Sequence, residues 1–230
     1  MVAVHQSLAG GRVGREILSG LPQELAFSVG EYEGRLRRVR SAMGEAAVDV
    51  LVVRHPHNVY YLSGHQSFSM YNGETVLLFL EGHSTLIVHP PELSTALLHT
   101  WFDEVHGYPT GERYEEYHAR LLAEQGVDRA RVGVEKQSIG VTAGSYERLR
   151  EALPYADLVD ESDLISTVRA TKSPQEIEHL RRAARMTDAG VLAAIEAVKE
   201  GRTDNDVAAA ANHALVEAGS EYMCVSPIVT

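Results

Sequence analysis

Cysteine is almost missing from the 230 residues: Cys224 is the single one. One thiol excludes an internal disulfide and any zinc site built from several cysteines, and it fits a reducing compartment, so the expected location is cytoplasmic. Long apolar runs are missing too. Runs such as Val50–Val53 and Val76–Leu80 fall far short of the ~20 residues a membrane-spanning helix needs, so no membrane partner is expected. Positive charge is scarce: 32 acidic against 21 basic side chains leave a formal net charge of -11, spread along the chain. Such a surface repels phosphate backbones and excludes nucleic acid as a partner. Met1 to Gly20 lacks the apolar block of a secretory signal and carries His5, Gln6, Arg12, Arg15 and Glu16 instead, so residues 1–27 read as an N-terminal arm or leader. The cluster Gly10-Gly11-Arg12-Val13-Gly14 has neither a preceding strand nor a Lys-Ser/Thr pair, and reads as flexible leader rather than phosphate cradle.

What is present is a hydrophobic content of 44%, enough for one large or two small cores. Ser28 and Glu31 form a capping box, and Tyr32, Leu36, Val39, Met43 and Ala46 recur at four-three-four-three spacing, which predicts an amphipathic helix. Val48 to Val53 follows, with the unbroken β-branched character of a strand buried on both faces. Thr75 to Leu80 and Thr85 to Val88, joined through Glu81-Gly82-His83-Ser84, predict a hairpin, so the sheet must be mixed. Beyond it come a helix over about 112–124, a strand at Arg131–Val134, a helix from Thr142 to Leu153 and a short strand at Ala156–Val159. Residues 28–160 are therefore expected to be an α/β domain, a mixed sheet flanked by helices.

After Asp160 two long helices follow without a strand between them, and the domain boundary is placed there. Ser173-Pro174-Gln175-Glu176 combines an N-cap, a proline at the first helical position and a capping-box glutamate. Ile177, Leu180, Ala184, Thr187, Val191, Ile195 and Val198 trace one face until Gly201. Thr203, with Asp204 and Asp206 in the first turn, opens the second helix, which ends at Gly219. Met223 to Val229 reads as a strand.

Three stretches resemble the creatinase, prolidase and Xaa-Pro aminopeptidase family: Asn58-Val59-Tyr60-Tyr61-Leu62-Ser63-Gly64; Arg169 to Ile177 with Leu180, Ala183 and Ala184, continued by Glu200-Gly201-Arg202-Thr203-Asp204; and Ser226-Pro227-Ile228-Val229-Thr230. They stand in the order the family requires. The resemblance implies a creatinase-like N-terminal domain at 28–160, then at 161–230 the linker, first two helices and strand of an incomplete α+β "pita-bread" catalytic domain. It implies a metal-dependent Xaa-Pro peptidase or prolidase-like C–N bond hydrolase acting on a small peptide or amide, assembled as a homodimer or higher homo-oligomer. Two divalent metal ions, manganese, cobalt or zinc, would be held by two aspartates, one histidine and two glutamates beyond Thr230. This chain alone is then expected to bind no metal, to carry no catalytic residue and to be inactive. The loop after Gly64 would reach the neighbouring subunit's active site, which makes His65, Phe68 and Tyr71 the substrate-binding candidates. A creatinase- or ectoine-hydrolase-like enzyme and a catalytically silent protein-binding module are the alternatives.

Other residues carry plainer readings. His55 and His57 flank Pro56 but supply only two ligands, so they read as loop histidines; His83 and His89 read as solvated strand ends. Cys224 lacks an identifiable base and reads as a buried apolar residue. Asp204 and Asp206 read as helix caps. A nucleotide-binding doubly wound domain is opposed by Arg54-His55-Pro56, which stands after Val53 where a glycine-rich turn would be needed.

Overall fold

The computed structural model describes residues 11–13, 23–67, 74–221, 223, 225 and 227–229. Phe68, Tyr71 and Cys224 lie outside the described residues. The chain divides into two compact units, 1–171 and 172–230.

The first unit is a seven-stranded mixed sheet with helices on its faces. Its elements are β1 (Gly11–Val13), α1 (Val29–Glu45), β2 (Val50–Val53), α2 (Pro56–Ser63), β3 (Thr75–Phe79), β4 (Ser84–Val88), α3 (Leu93–His99), β5 (Glu104–Gly107), α4 (Tyr114–Glu124), β6 (Arg131–Val134), α5 (Ala143–Ala152), β7 (Asp157–Asp160) and α6 (Leu164–Ala170). The strand order is β1-β5-β4-β3-β2-β6-β7. β2/β3, β3/β4 and β1/β5 run antiparallel, while β4/β5, β2/β6 and β6/β7 run parallel. The expected hairpin is therefore present, with Thr75 opposite Ile87.

β2 lies inside the sheet, and its side chains alternate between two cores. Leu51 and Val53 join Val76, Leu78, Leu86, Val39, Met43 and Ile165 on one face. Val50 and Val52 join Leu77, Ile87, Tyr117, Leu122 and Val132 on the other. Burial on both faces is why the run shows no polar alternation.

α1 begins where Ser28 Oγ accepts from Glu31 N at 3.3 Å, and it buries Tyr32, Arg35, Val39 and Met43. Arg35 is an unexpected member of that apolar face, only 1% exposed. Glu31 Oε1 and the Tyr61 carbonyl accept from it, each at 3.2 Å, and its guanidinium lies 3.9 Å from the Phe27 ring centroid.

Gly11–Val13, read from the sequence as part of a flexible leader, pairs with Val105–Gly107 as the edge strand. Edge pairing needs only backbone groups, so the glycine-rich composition did not announce it. α6 lies past the expected boundary at Asp160 yet belongs to the first unit, because Ile165 is buried in the β2 core and α6 packs on α1.

The second unit contains α7 (Pro174–Ala197) and α8 (Asp204–Glu217). Both start with complete capping boxes, Ser173 with Glu176 and Thr203 with Asp206, so Asp206 serves as a cap, while Asp204 Oδ1 accepts from the neighbouring Asn205 N–H at 2.9 Å. The helices approach closely at Gly190, where an added Cβ would sit 2.7 Å from Leu215 Cγ. The described residues of 223–229 are in no strand; an extended segment becomes one only by pairing, and none of these residues is paired. No helix among the described residues is long and apolar enough to cross a membrane.

Candidate functional site

Asn58 to Gly64 is a short helix with a fixed exit. The N-terminus of α2 is held by Glu135, the residue after β6, which is 2% exposed. Its Oε2 accepts from the backbone N–H of Arg54 and of His55, each at 2.6 Å, and its Oε1 accepts from Asn58 Nδ2 at 2.5 Å. Burial raises the Glu135 pKa, while these donors act against the rise. Asn58 Oδ1 in turn accepts from Arg169 Nη1 at 2.6 Å. Two of the stretches that carry the family resemblance thus meet through one amide side chain.

The other end of α2 stops at Gly64, whose φ of +79° lies in the left-handed region. A Cβ there would meet the His99 carbonyl at 2.8 Å and Tyr32 Oη at 2.9 Å, so glycine is required by both backbone and packing. The exit is tied down as well. Ser63 O accepts from Thr100 Oγ1 at 2.7 Å, Leu62 O accepts from Trp101 Nε1 at 2.6 Å, and Ser63 Oγ accepts from His65 N at 3.1 Å.

His65 therefore leaves α2 in a set direction, and its ring is buried, 1% exposed as a residue. Nε2 lies 3.6 Å from Glu92 Oε2, too far for a hydrogen bond but close enough for an ion pair. Ser67 Oγ donates to Glu92 Oε1 at 2.8 Å. These contacts, His65 first and then Ser67 working against burial, lower the Glu92 pKa. Glu74, 8% exposed and just before β3, behaves in the opposite way: burial, reinforced by the Glu92 charge, pushes its pKa up to about 7. His65, Glu74 and Glu92 present ligand atoms all within 4.8 Å of one another. Arg54, Pro56, Val59, His65, Ser67 and Glu74 line a cavity of about 20 Å³.

Of the three candidates from the sequence, His65 is buried inward at the start of this cluster, and Phe68 and Tyr71 fall among residues 68–73, outside the described ones. Glu74, Glu92, Arg54 and Glu135 were not foreseen as site residues. The available signal was a charged residue flush against a largely apolar run, at Arg54 after Val50–Val53 and at Glu74 before Thr75–Phe79. His55 and His57 sit with ring centroids 5.3 Å apart at the start of α2, and burial lowers both pKa values. His83 is half exposed and pairs with Glu104 at 3.2 Å.

A mixed sheet clad in helices, with a pinned helix–glycine exit beside a polar pocket, and a capped helix pair in a second unit define a two-unit α/β architecture. Residues 35–171 match the creatinase/prolidase N-terminal domain, and residues 178–230 match metallopeptidase family M24. The chain belongs to the creatinase/prolidase family. It is 32% identical over 188 residues to the ectoine hydrolase of Halomonas elongata, covering 77% of this chain and 47% of the relative. It is 25% identical to the Xaa-Pro dipeptidase of Pyrococcus horikoshii, covering 85% and 51%. In fold it is similar to an Xaa-Pro dipeptidase from Bacillus anthracis, with a TM-score of 0.68 at 21% identity over 82% of this chain and 50% of that one. The chain spans about half the length of the curated relatives it matches.

Divalent metal use goes with the metallopeptidase family. Among the described residues of 172–230 no three histidine, cysteine, aspartate or glutamate side chains converge.

Proposed function

We propose that this chain is the substrate-covering, oligomerising part of a metal-dependent Xaa-Pro peptidase of the prolidase kind, a hydrolase of C–N bonds. The observation that carries the reading is the order of the two family matches, 35–171 followed directly by 178–230, with the pinned α2–Gly64 exit in the first. In this reading the first unit covers the active site of a neighbouring subunit in a homodimer or larger homo-oligomer. Phe68 and Tyr71, with His65 before them, are the residues proposed to lie toward substrate, His65 being buried in the single chain. Two divalent cations, manganese, cobalt or zinc, would polarise the scissile carbonyl and activate water in the complete enzyme. The 230 residues alone are proposed to be inactive.

The test is hydrolysis of Xaa-Pro dipeptides by the product of the complete gene, after chelation and after adding back manganese, cobalt or zinc. Turnover that is lost on chelation and restored by metal is expected. No dipeptide cleavage with any of the three metals overturns the peptidase reading. Ring opening of ectoine that survives exhaustive chelation places the protein instead with the substrate class of its 32%-identical relative.

A further inference from the structure

The cluster behind Gly64 has more polar atoms than it has partners. Neither ring nitrogen of His65 has a hydrogen-bond partner among the described residues, and the same holds for Glu74 Oε1, although all three atoms are buried. Buried polar atoms are nearly always satisfied, and a group of orphans around one small space points to an occupant. The cavity they share, about 20 Å³, can hold one water-sized body.

We infer that His65, Glu74 and Glu92 form a divalent-metal site of the zinc class, separate from the metal centre of the family's catalytic domain. The donor set is one imidazole nitrogen and two carboxylates. That mixture suits Zn²⁺, whereas Ca²⁺ and Mg²⁺ prefer oxygen ligands alone. Zinc–ligand bonds of about 2.1 Å in tetrahedral array put ligand atoms roughly 3.4 Å apart. The 3.6 Å between His65 Nε2 and Glu92 Oε2 already matches that edge, and the whole set lies within 4.8 Å. The site is empty. Ser67 Oγ, donating to Glu92 Oε1 at 2.8 Å, orients one ligand from behind as outer-shell donors do.

Arg54 lines the same cavity and is the charge most opposed to a cation there. Its guanidinium lies 3.8 Å from the Tyr114 ring centroid, and the charges of both Glu115 and Glu74 act on it. A bound ion ties together His65, just past the Gly64 cap of α2, Glu74 before β3 and Glu92 in the turn before α3. Its role is to hold these three points of the first unit together, and this holds whatever substrate the complete enzyme takes.

The experiment uses the 230-residue chain without an affinity tag, stripped by EDTA and titrated calorimetrically with zinc chloride. One ion per chain, bound in the micromolar range or tighter, is expected, and so is a rise in melting temperature on binding. His65→Gln and Glu92→Gln should each weaken binding by about tenfold or more, with Trp101 fluorescence confirming that the variants are folded. The double variant His55→Gln/His57→Gln should bind as the parent does. Should a ligand variant fail to fold, cobalt(II) added to the parent chain decides: the intense visible bands of a tetrahedral site support the proposal, and the faint spectrum of the octahedral aquo ion refutes it. Absence of stoichiometric binding by the parent, unchanged binding by folded His65→Gln, or loss of binding in the His55/His57 variant would each overturn the site.

Discussion

At the scale of single residues, Glu135 shows how a buried charge is held in place without a salt bridge. Removing a carboxylate from water is costly, and the raised pKa registers that cost. Against it stand three donors, the N–H groups of Arg54 and His55 and the amide of Asn58. Charge-assisted hydrogen bonds contribute about 1.5–3 kcal/mol each, so burial and bonding come near to balance as long as the acceptor is there. Deleting it leaves the donors stranded at the start of α2. Glu135→Ala should therefore lose on the order of 3 kcal/mol, seen as a drop of about 1–2 M in the urea midpoint. Glu135→Gln keeps one acceptor oxygen and should lose less. An alanine variant that unfolds at the parent's midpoint would show that α2 starts without help from Glu135.

Arg35 marks the limit of reading at this scale. Sequence periodicity placed Tyr32, Val39 and Met43 on the core face of α1, and they are there. Nothing in the pattern announced that an arginine shares that face, because its burial depends on partners distant in sequence, the Tyr61 carbonyl and the rings of Phe27 and Tyr61.

At the scale of elements, helices and strands with a local cause were legible. The hairpin β3–β4 follows from a polar four-residue connection between apolar runs, and α7 and α8 follow from capping boxes that form as the residues suggest. β1 was not legible, since backbone pairing at a sheet edge leaves little trace in side chains. The His65–Glu74–Glu92 cluster was not legible either. Its members come from three different elements, and only the register of β3 and the turn before α3 bring them together.

Packing of α4 against the sheet carries a pH consequence. His118, on α4, is 1% exposed and its Nε2 lacks a hydrogen-bond partner among the described residues. Burial first, then the charge of Arg54, lowers its pKa well below the ordinary value. An unfolded histidine takes up its proton near pH 6.5. Between that pH and the lower native pKa the unfolded chain binds more protons than the folded one, so stability rises with pH across the window. The stability is present above about pH 6.5 and is lost as pH falls below it. His118→Leu, close in volume, removes that proton. Melting followed between about pH 5 and about pH 7.5 should show a smaller acid-induced drop in Tm for the variant than for the parent. Equal drops in both would mean that His118 is protonated inside the native fold at no cost.

At the scale of the molecule the two units differ in what they bury. Both core clusters draw all their buried residues from the first unit, between Val39 and Ile165. In α7 and α8 only Gly190, Val207 and Ala211 are buried, while Leu180, Leu192 and Ile195 are 56%, 60% and 64% exposed. Burying apolar area is what offsets chain entropy, at about 25 cal/mol per Å², and a lone helix pair with so little of it is marginal. Residues 11–171 made alone should therefore unfold in one cooperative step. The protein's single tryptophan, Trp101, reports on it directly, since its indole is held by the Leu62 carbonyl inside the first unit. The urea midpoint of that fluorescence should match the 230-residue chain to within about 0.5 kcal/mol of stability. Residues 172–230 made alone should give a helical circular dichroism signal that is weak when dilute and grows with concentration, as exposed apolar faces find one another. A midpoint that falls by several times that margin on removing 172–230 would mean that the second unit stabilises the first; a sharp, concentration-independent melt of 172–230 would mean that its buried side chains suffice for a fold of its own.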